Sequence, residues 1–231
     1  MTTPMKLLLV NSNSTEAVTD RMVAVARTVA APKTTITGLT AAGTPVIRTH
    51  WEFATAAVET VVALKAQAHD HDAAIIGCFG DPGLKAARHE LSIPVVGMAE
   101  AAMLSAHLLG GSYSIVTFGP HNAVTIADLA RHYGLHTRLA SVRIAPVSHA
   151  AMLADPTQAI TACRTAGQQA LDHDGADVLI LGGGPVTGMA SQIAAELGVP
   201  VLDGIACATK LAESLVACGY TTTRRGLYHP G

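Results

Sequence analysis

Short apolar runs alternate along the chain with longer stretches in which apolar and polar positions are mixed. The runs at residues 6–10, 73–76, 113–116 and 178–181 are bounded by turn-forming residues, which predicts buried parallel strands. Residues 15–30, 52–68, 99–108, 123–132, 156–171, 191–197 and 206–217 have helical length and composition. This order predicts an α/β fold with parallel sheets and helices on their faces. Asn13 or Ser14 is expected to cap the first helix, and Asp155 followed by Pro156 reads as a cap and first-turn proline for another.

An internal repeat sharpens this picture. Asp72-Ala73-Ala74-Ile75-Ile76-Gly77-Cys78 is echoed by Asp177-Val178-Leu179-Ile180-Leu181-Gly182-Gly183, with six positions from the aspartate to Cys78 or Gly183. Ile93-Pro94-Val95-Val96 and Val199-Pro200-Val201-Leu202 follow at nearly equal distances, and Met98-Ala99-Glu100 continues the match against Gly204-Ile205-Ala206. A weaker echo joins Leu8-Leu9-Val10-Asn11 to Ser114-Ile115-Val116-Thr117. Two pseudo-symmetric α/β halves are expected, 1–98 plus 203–231 and 99–202, with an active site in the cleft between their carboxyl-end loops. The alternative is a single doubly wound domain whose strands look alike because buried strands do.

Composition narrows the function classes. Hydrophobic residues make up 49% and charged ones 14% of 231 residues, so the chain must fold around a core. A net charge of −2, without a basic run interleaved with aromatics, points away from a nucleic-acid partner. No segment approaches a bilayer-spanning apolar length, and the polar Asn11-Ser12-Asn13-Ser14-Thr15 after the first strand does not read as a signal peptide; a cytoplasmic protein without a membrane partner is expected. Cys78, Cys163, Cys207 and Cys218 lack the spacing of a zinc site or disulfide framework, and eleven histidines form no helix-face metal motif. No metal is expected. Alanine-rich helices would permit a homo-oligomer and fit an ordinary core equally well.

Cys78 is the first candidate for chemistry. It follows a buried strand and precedes a glycine-containing turn and a helical segment beginning near Leu84, where a helix dipole would favour the thiolate, a base or nucleophile. The other reading is a small buried hydrophobe. Asn11 and Asn13 offer amides beside helix N–H groups, a cradle for a carboxylate or imide-like ring, or an ordinary capping turn. Thr117 holds the matching place in the second half. Gly182-Gly183-Gly184-Pro185-Val186-Thr187 lacks the lysine of a phosphate loop; its backbone N–H groups could form an anion hole, or the segment is a tight turn. His121 follows Thr117-Phe118-Gly119-Pro120 and is a candidate acid or base.

Gly77-Cys78-Phe79-Gly80-Asp81-Pro82-Gly83-Leu84 resembles the first cysteine motif of the aspartate/glutamate/hydantoin racemase superfamily, in its hydantoin and allantoin racemase branch. Val10-Asn11-Ser12-Asn13-Ser14 is similar to that branch's Asn-Pro-Asn turn, with Ser12 in place of proline. The stretch from Gly175 through Gly182 to Gly188-Met189-Ala190 resembles the surroundings of the second cysteine, whose position is Gly183, with about three extra residues after it. The resemblance spans almost the whole chain. It implies a cofactor-independent isomerase of a small carbonyl compound such as a cyclic amide, with two cysteines in such enzymes acting on opposite faces of the substrate. Here it implies Cys78 as acid/base, His121, Thr187 or a water opposite, and substrate contacts from Asn11, Asn13, Phe79, Gly80, Asp81, Thr117, Gly183, Gly184, Pro185 and Thr187. The glycine leaves open a cysteine-dependent hydrolase of a cyclic amide, a lone-thiol decarboxylase, and a non-catalytic small-molecule binding protein.

Overall fold

The computed structural model describes residues 4–119 and 122–229. The chain divides into two compact units, one reaching Met98 and resuming at Ala208, the other Ala99–Cys207.

Unit 1 contains β1 (Met5–Asn11), α1 (Glu16–Val29), β2 (Thr34–Thr40), α2 (His50–Gln67), β3 (Ala73–Ile76), α3 (Leu84–Glu90) and β4 (Val95–Gly97). Its sheet is parallel, in the order β2-β1-β3-β4. The apolar runs are the central strands: Leu7 to Val10 and Ala73 to Ile76 are fully buried because helices cover both faces. On α1 the buried positions Val18, Met22, Val23 and Ala26 form one stripe, which is why this stretch is a helix packed by one face.

Unit 2 repeats the plan. It runs from α4 (Met98–Ala106) through β5 (Tyr113–Thr117), α5 (Asn122–His132), β6 (Leu139–Ile144), α6 (His149–Ala154), α7 (Pro156–Asp174), β7 (Val178–Leu181), α8 (Ala190–Leu197) and β8 (Val201–Asp203) into α9 (Gly204–Ala217). The sheet order is β6-β5-β7-β8, again all parallel. Small residues let α7 lie close to the sheet: Ala159, Cys163, Ala166, Gly167 and Ala170 face inward. A Cβ on Gly167 would come within 2.8 Å of Leu179 Cδ1. The repeated aspartates share a structural task. Asp72 accepts the N–H of Lys6 at 2.7 Å, and Asp177 accepts those of Gly111 and Ser112 at 2.9 and 3.1 Å, each satisfying backbone where a neighbouring central strand begins.

Four strands, β2, β4, β6 and β8, go beyond those the apolar runs predict. β2 and β6 are edge strands of mixed polarity with few fully buried positions, and β4 and β8 have three residues each, so none makes a recognisable run. The start of α1 also differs. Thr15 is the residue at the cap, while Asn13 Oδ1 accepts the Thr15 N–H at 2.9 Å, one step outside the helix. Asp155 caps α7 as expected, accepting from Thr157 and Gln158 with Pro156 in the first turn.

Candidate active site

In each unit the chain passes from its first strand to one neighbour and then crosses back to the other side. Parallel sheets bind ligands at such reversals, outside the carboxyl ends of the two central strands. In unit 1 this point lies between the loop after β1 and the loop after β3. In unit 2 it lies between the loops after β5 and β7.

The β1 loop is held by Asn11, which is fully buried. Its amide donates to Asn13 Oδ1, Thr15 O and Thr19 Oγ1, all at 3.1 Å, and its Oδ1 accepts the Asn13 N–H at 3.2 Å. Asn11 thus shapes the loop, and Asn13 turns it into α1. Ser12 between them is 1% exposed, and its hydroxyl has no hydrogen-bond partner among the described residues. Buried hydroxyls are nearly always paired, and one left alone costs about 1–3 kcal/mol.

Cys78 follows β3 directly. Gly77 N–H donates to Val10 O at 2.7 Å, continuing the β1/β3 register by one step, so Cys78 stands level with Ser12. The thiol is partly covered. Beyond it the N–H groups of Gly80 and Asp81 both donate to Cys78 O, at 2.9 and 3.0 Å, and Asp81 takes the left-handed φ of 49°. Gly80 is bare because Phe53 of α2 lies against it: a Cβ there would be 2.9 Å from Phe53 Cε2. Phe79 is half-buried beside it.

The expected activation of this thiol by a helix end is corrected. α3 starts at Leu84, as expected, behind Gly83 at its cap, but has only seven residues. Burial, and then the nearby Asp81 carboxylate, push the Cys78 thiol up to about 12. Both effects favour the neutral S–H over the thiolate, which suits Cys78 to giving a proton.

In unit 2, Gly182 N–H donates to Val116 O at 2.8 Å and Thr117 Oγ1 donates to Gly182 O at 2.8 Å, which locks β5 to β7. Thr117 is thereby engaged, and an anion hole in the glycine run would have only the N–H groups beyond Gly182. Gly183 has φ 134°, and the Phe118 ring occupies the space a side chain on it would need, with Cε1 2.5 Å from an ideal Cβ. Gly184, Pro185 and Val186 form a buried single turn. Thr187 follows, 3% exposed, its hydroxyl also without a partner among the described residues. Asp203 at the end of β8 holds this loop, accepting the Gly188 N–H at 2.6 Å as well as those of Ile205 and Ala206 at 2.8 and 3.2 Å. Burial raises its carboxyl, against the pull of these three donors.

His121 lies outside the described residues. Cys163 belongs to the core of unit 2, where burial pushes its thiol up to about 11. Cys218 is exposed. No group of three or more potential metal ligands occurs among the described residues, and none of their helices is long and apolar enough to cross a membrane. Ser12, Phe53, Phe118 and Asp203 were not among the expected site residues. The repeat itself carried a signal for two of them, since Ser12 and Phe118 each follow the matched Asn11 and Thr117.

A family model described as Asp/Glu/Hydantoin racemase matches residues 7–212. The hydantoin racemase of Paenarthrobacter aurescens is 34% identical over 227 residues, covering 97% of this chain and 96% of the relative. Among solved structures, allantoin racemase from Pseudomonas fluorescens superposes with a TM-score of 0.95 at 35% identity, covering 98% of this chain and 97% of that one. Allantoin racemase from Klebsiella pneumoniae gives 0.94 at 36% identity, with 98% and 94% covered.

Proposed function

Because this chain belongs to the Asp/Glu/hydantoin racemase family, we propose that it is a cofactor-independent racemase or epimerase of a small cyclic amide of the hydantoin type, with Cys78 as an acid/base. The observation that carries this reading is a partly covered thiol at the end of a central strand, at the reversal point of the unit 1 sheet. The Cα–H of such a ring is acidified by the adjacent carbonyl, and transfer of its proton to a second acid/base group leaves an enolate. Cys78 gives its S–H proton to that carbon on one face. The second group is not a thiol at the repeat-equivalent position, which is Gly183; Thr187, His121 or a water fills that role. Asn11 and Asn13 shape the loop on which the ring rests. Phe79, Gly80 and Asp81, with Thr117, Gly183, Gly184 and Pro185, form the rest of the substrate surroundings.

The test follows enantiopure 5-substituted hydantoins and allantoin in deuterium oxide, by chiral chromatography and by loss of the Cα–H signal. Loss of optical activity with deuterium uptake is expected, and Cys78→Ala should reduce it about a hundredfold or more. Substrates that bind without any exchange at Cα would overturn the reading. A second reading, lone-thiol protonation after decarboxylation, draws on the neutral state of Cys78 and the bare Gly183. Carbon dioxide release from 2-substituted malonates distinguishes it.

A further inference from the structure

We propose that Phe118 is a specificity-determining residue: its ring excludes a second acid/base side chain from position 183 and makes this protein a one-thiol member of its family. The inference rests on the racemase reading. The repeat pairs Cys78 with Gly183 and, one step beyond Asn11 and Thr117, Ser12 with Phe118. The sheets impose the same juxtaposition in each unit. Gly77 N–H to Val10 O sets Ser12 level with Cys78, and Gly182 N–H to Val116 O sets Phe118 level with Gly183.

The sizes at these two pairs are reversed. A small serine accompanies the thiol in unit 1, and a large ring accompanies the bare α-carbon in unit 2. An ideal Cβ on Gly183 falls 2.5 Å from Phe118 Cε1 and 2.9 Å from Cζ, closer than real Cβ atoms come to any neighbour. The φ of 134° strains any L side chain there as well. The ring is half-buried and would have to shift to admit a side chain at position 183. It packs against the buried cluster that includes Val116, Val186 and Met189, and Asn122 Nδ2 holds the Phe118 carbonyl at 2.6 Å. The absence of the second thiol is therefore a property of two positions.

The chemical consequence is an unequal treatment of enantiomers. On one face Cys78 gives its S–H proton to the enolate carbon, and the thiolate regains a proton from water. On the other face no side chain at 183 carries a proton, so the carbon exchanges with water directly or through a hydroxyl.

The test is a double-mutant cycle of Gly183→Cys, Phe118→Ser and the pair together. Two readouts need no turnover: the thermal midpoint, and titration of thiols with a disulfide reagent. Gly183→Cys alone should lower the midpoint by about 5 °C. The paired variant should lose about 3 °C less than the two single losses added together, and should show a new titratable thiol. The third readout is Cα deuterium exchange of each enantiomer of 5-benzylhydantoin. The wild type should exchange the two unequally, and the paired variant should speed the slower one about tenfold. Gly183→Cys alone matching wild-type stability and giving the same gain would overturn the assignment. Exchange absent from every variant, with the stability coupling intact, supports the steric role of Phe118 and overturns the racemase reading instead.

Discussion

The carboxylate of Asp81 rests against the α-carbon of Gly97, where no Cβ could be added without striking it. Unit 2 fills the equivalent place from the other side. The repeat partner of Gly97 is Asp203, and its carboxylate takes the N–H of Gly188 in the loop. In each unit a buried carboxylate thus lies between the loop of the third strand and the fourth strand, carried by the loop in unit 1 and by the strand in unit 2.

This arrangement makes Gly97 intolerant of even one methyl group. Gly97→Ala should destabilise the protein by about 2 kcal/mol through overpacking. It should also disturb Cys78, whose carbonyl receives the N–H of Asp81. A chemical denaturation midpoint unchanged from wild type would count against the contact.

Cys78 should resist alkylation. With its thiol pushed up to about 12 by burial and then by Asp81, the reactive thiolate is scarce at neutral pH. Iodoacetamide at pH 7 should label the exposed Cys218 first, as read by peptide mass spectrometry. Asp81→Asn removes the neighbouring negative charge, so the thiol value falls and labelling of Cys78 at pH 9 should rise severalfold. A rate equal to wild type would exclude an electrostatic role for Asp81.

Ser12→Ala should separate stability from function. The hydroxyl has no partner among the described residues, so its removal should leave the folding free energy within about 0.5 kcal/mol of wild type or raise it. If that hydroxyl meets the substrate, KM should rise several-fold while kcat changes less. Thr60, a third unpaired buried hydroxyl in the middle of α2, supplies the comparison: Thr60→Val should leave KM unchanged.

Glu213 of α9 ties the returning chain to unit 1. It accepts the Ala31 N–H at 2.7 Å, the Thr34 hydroxyl at 2.6 Å and Lys210 Nζ at 2.7 Å. Burial opposes its ionised form, but Lys210, Thr34 and Ala31 prevail and hold its carboxyl below the ordinary value of 4.5. A lowered value means that the stabilisation is complete above the ordinary value and is lost as pH falls below it, through the folded value. Glu213→Gln should cost about 2 kcal/mol at pH 7 and flatten the dependence of the melting temperature on pH below 5.

The linear order of residues determined a good deal of this protein. Fully buried central strands must be continuous apolar runs, so β1, β3, β5 and β7 can be read without coordinates, and a repeated run such as Asp72 to Cys78 betrays a repeated unit. The motif around Cys78 was legible because its residues stand together in the chain, although the bareness of Gly80 answers to Phe53 of α2. What the tertiary structure alone decided are relations between loops distant in sequence. Edge strands such as β2 and β6 exist because a neighbour offers them hydrogen bonds, not because their side chains form a pattern. The state of the Cys78 thiol depends on burial and on the fold of Asp81, which no spacing reveals and which reversed the expectation of a helix-activated thiolate. Gly183 by itself reads as a missing cysteine. Only the packing of Phe118, brought to it across adjacent strands, shows that its place is taken.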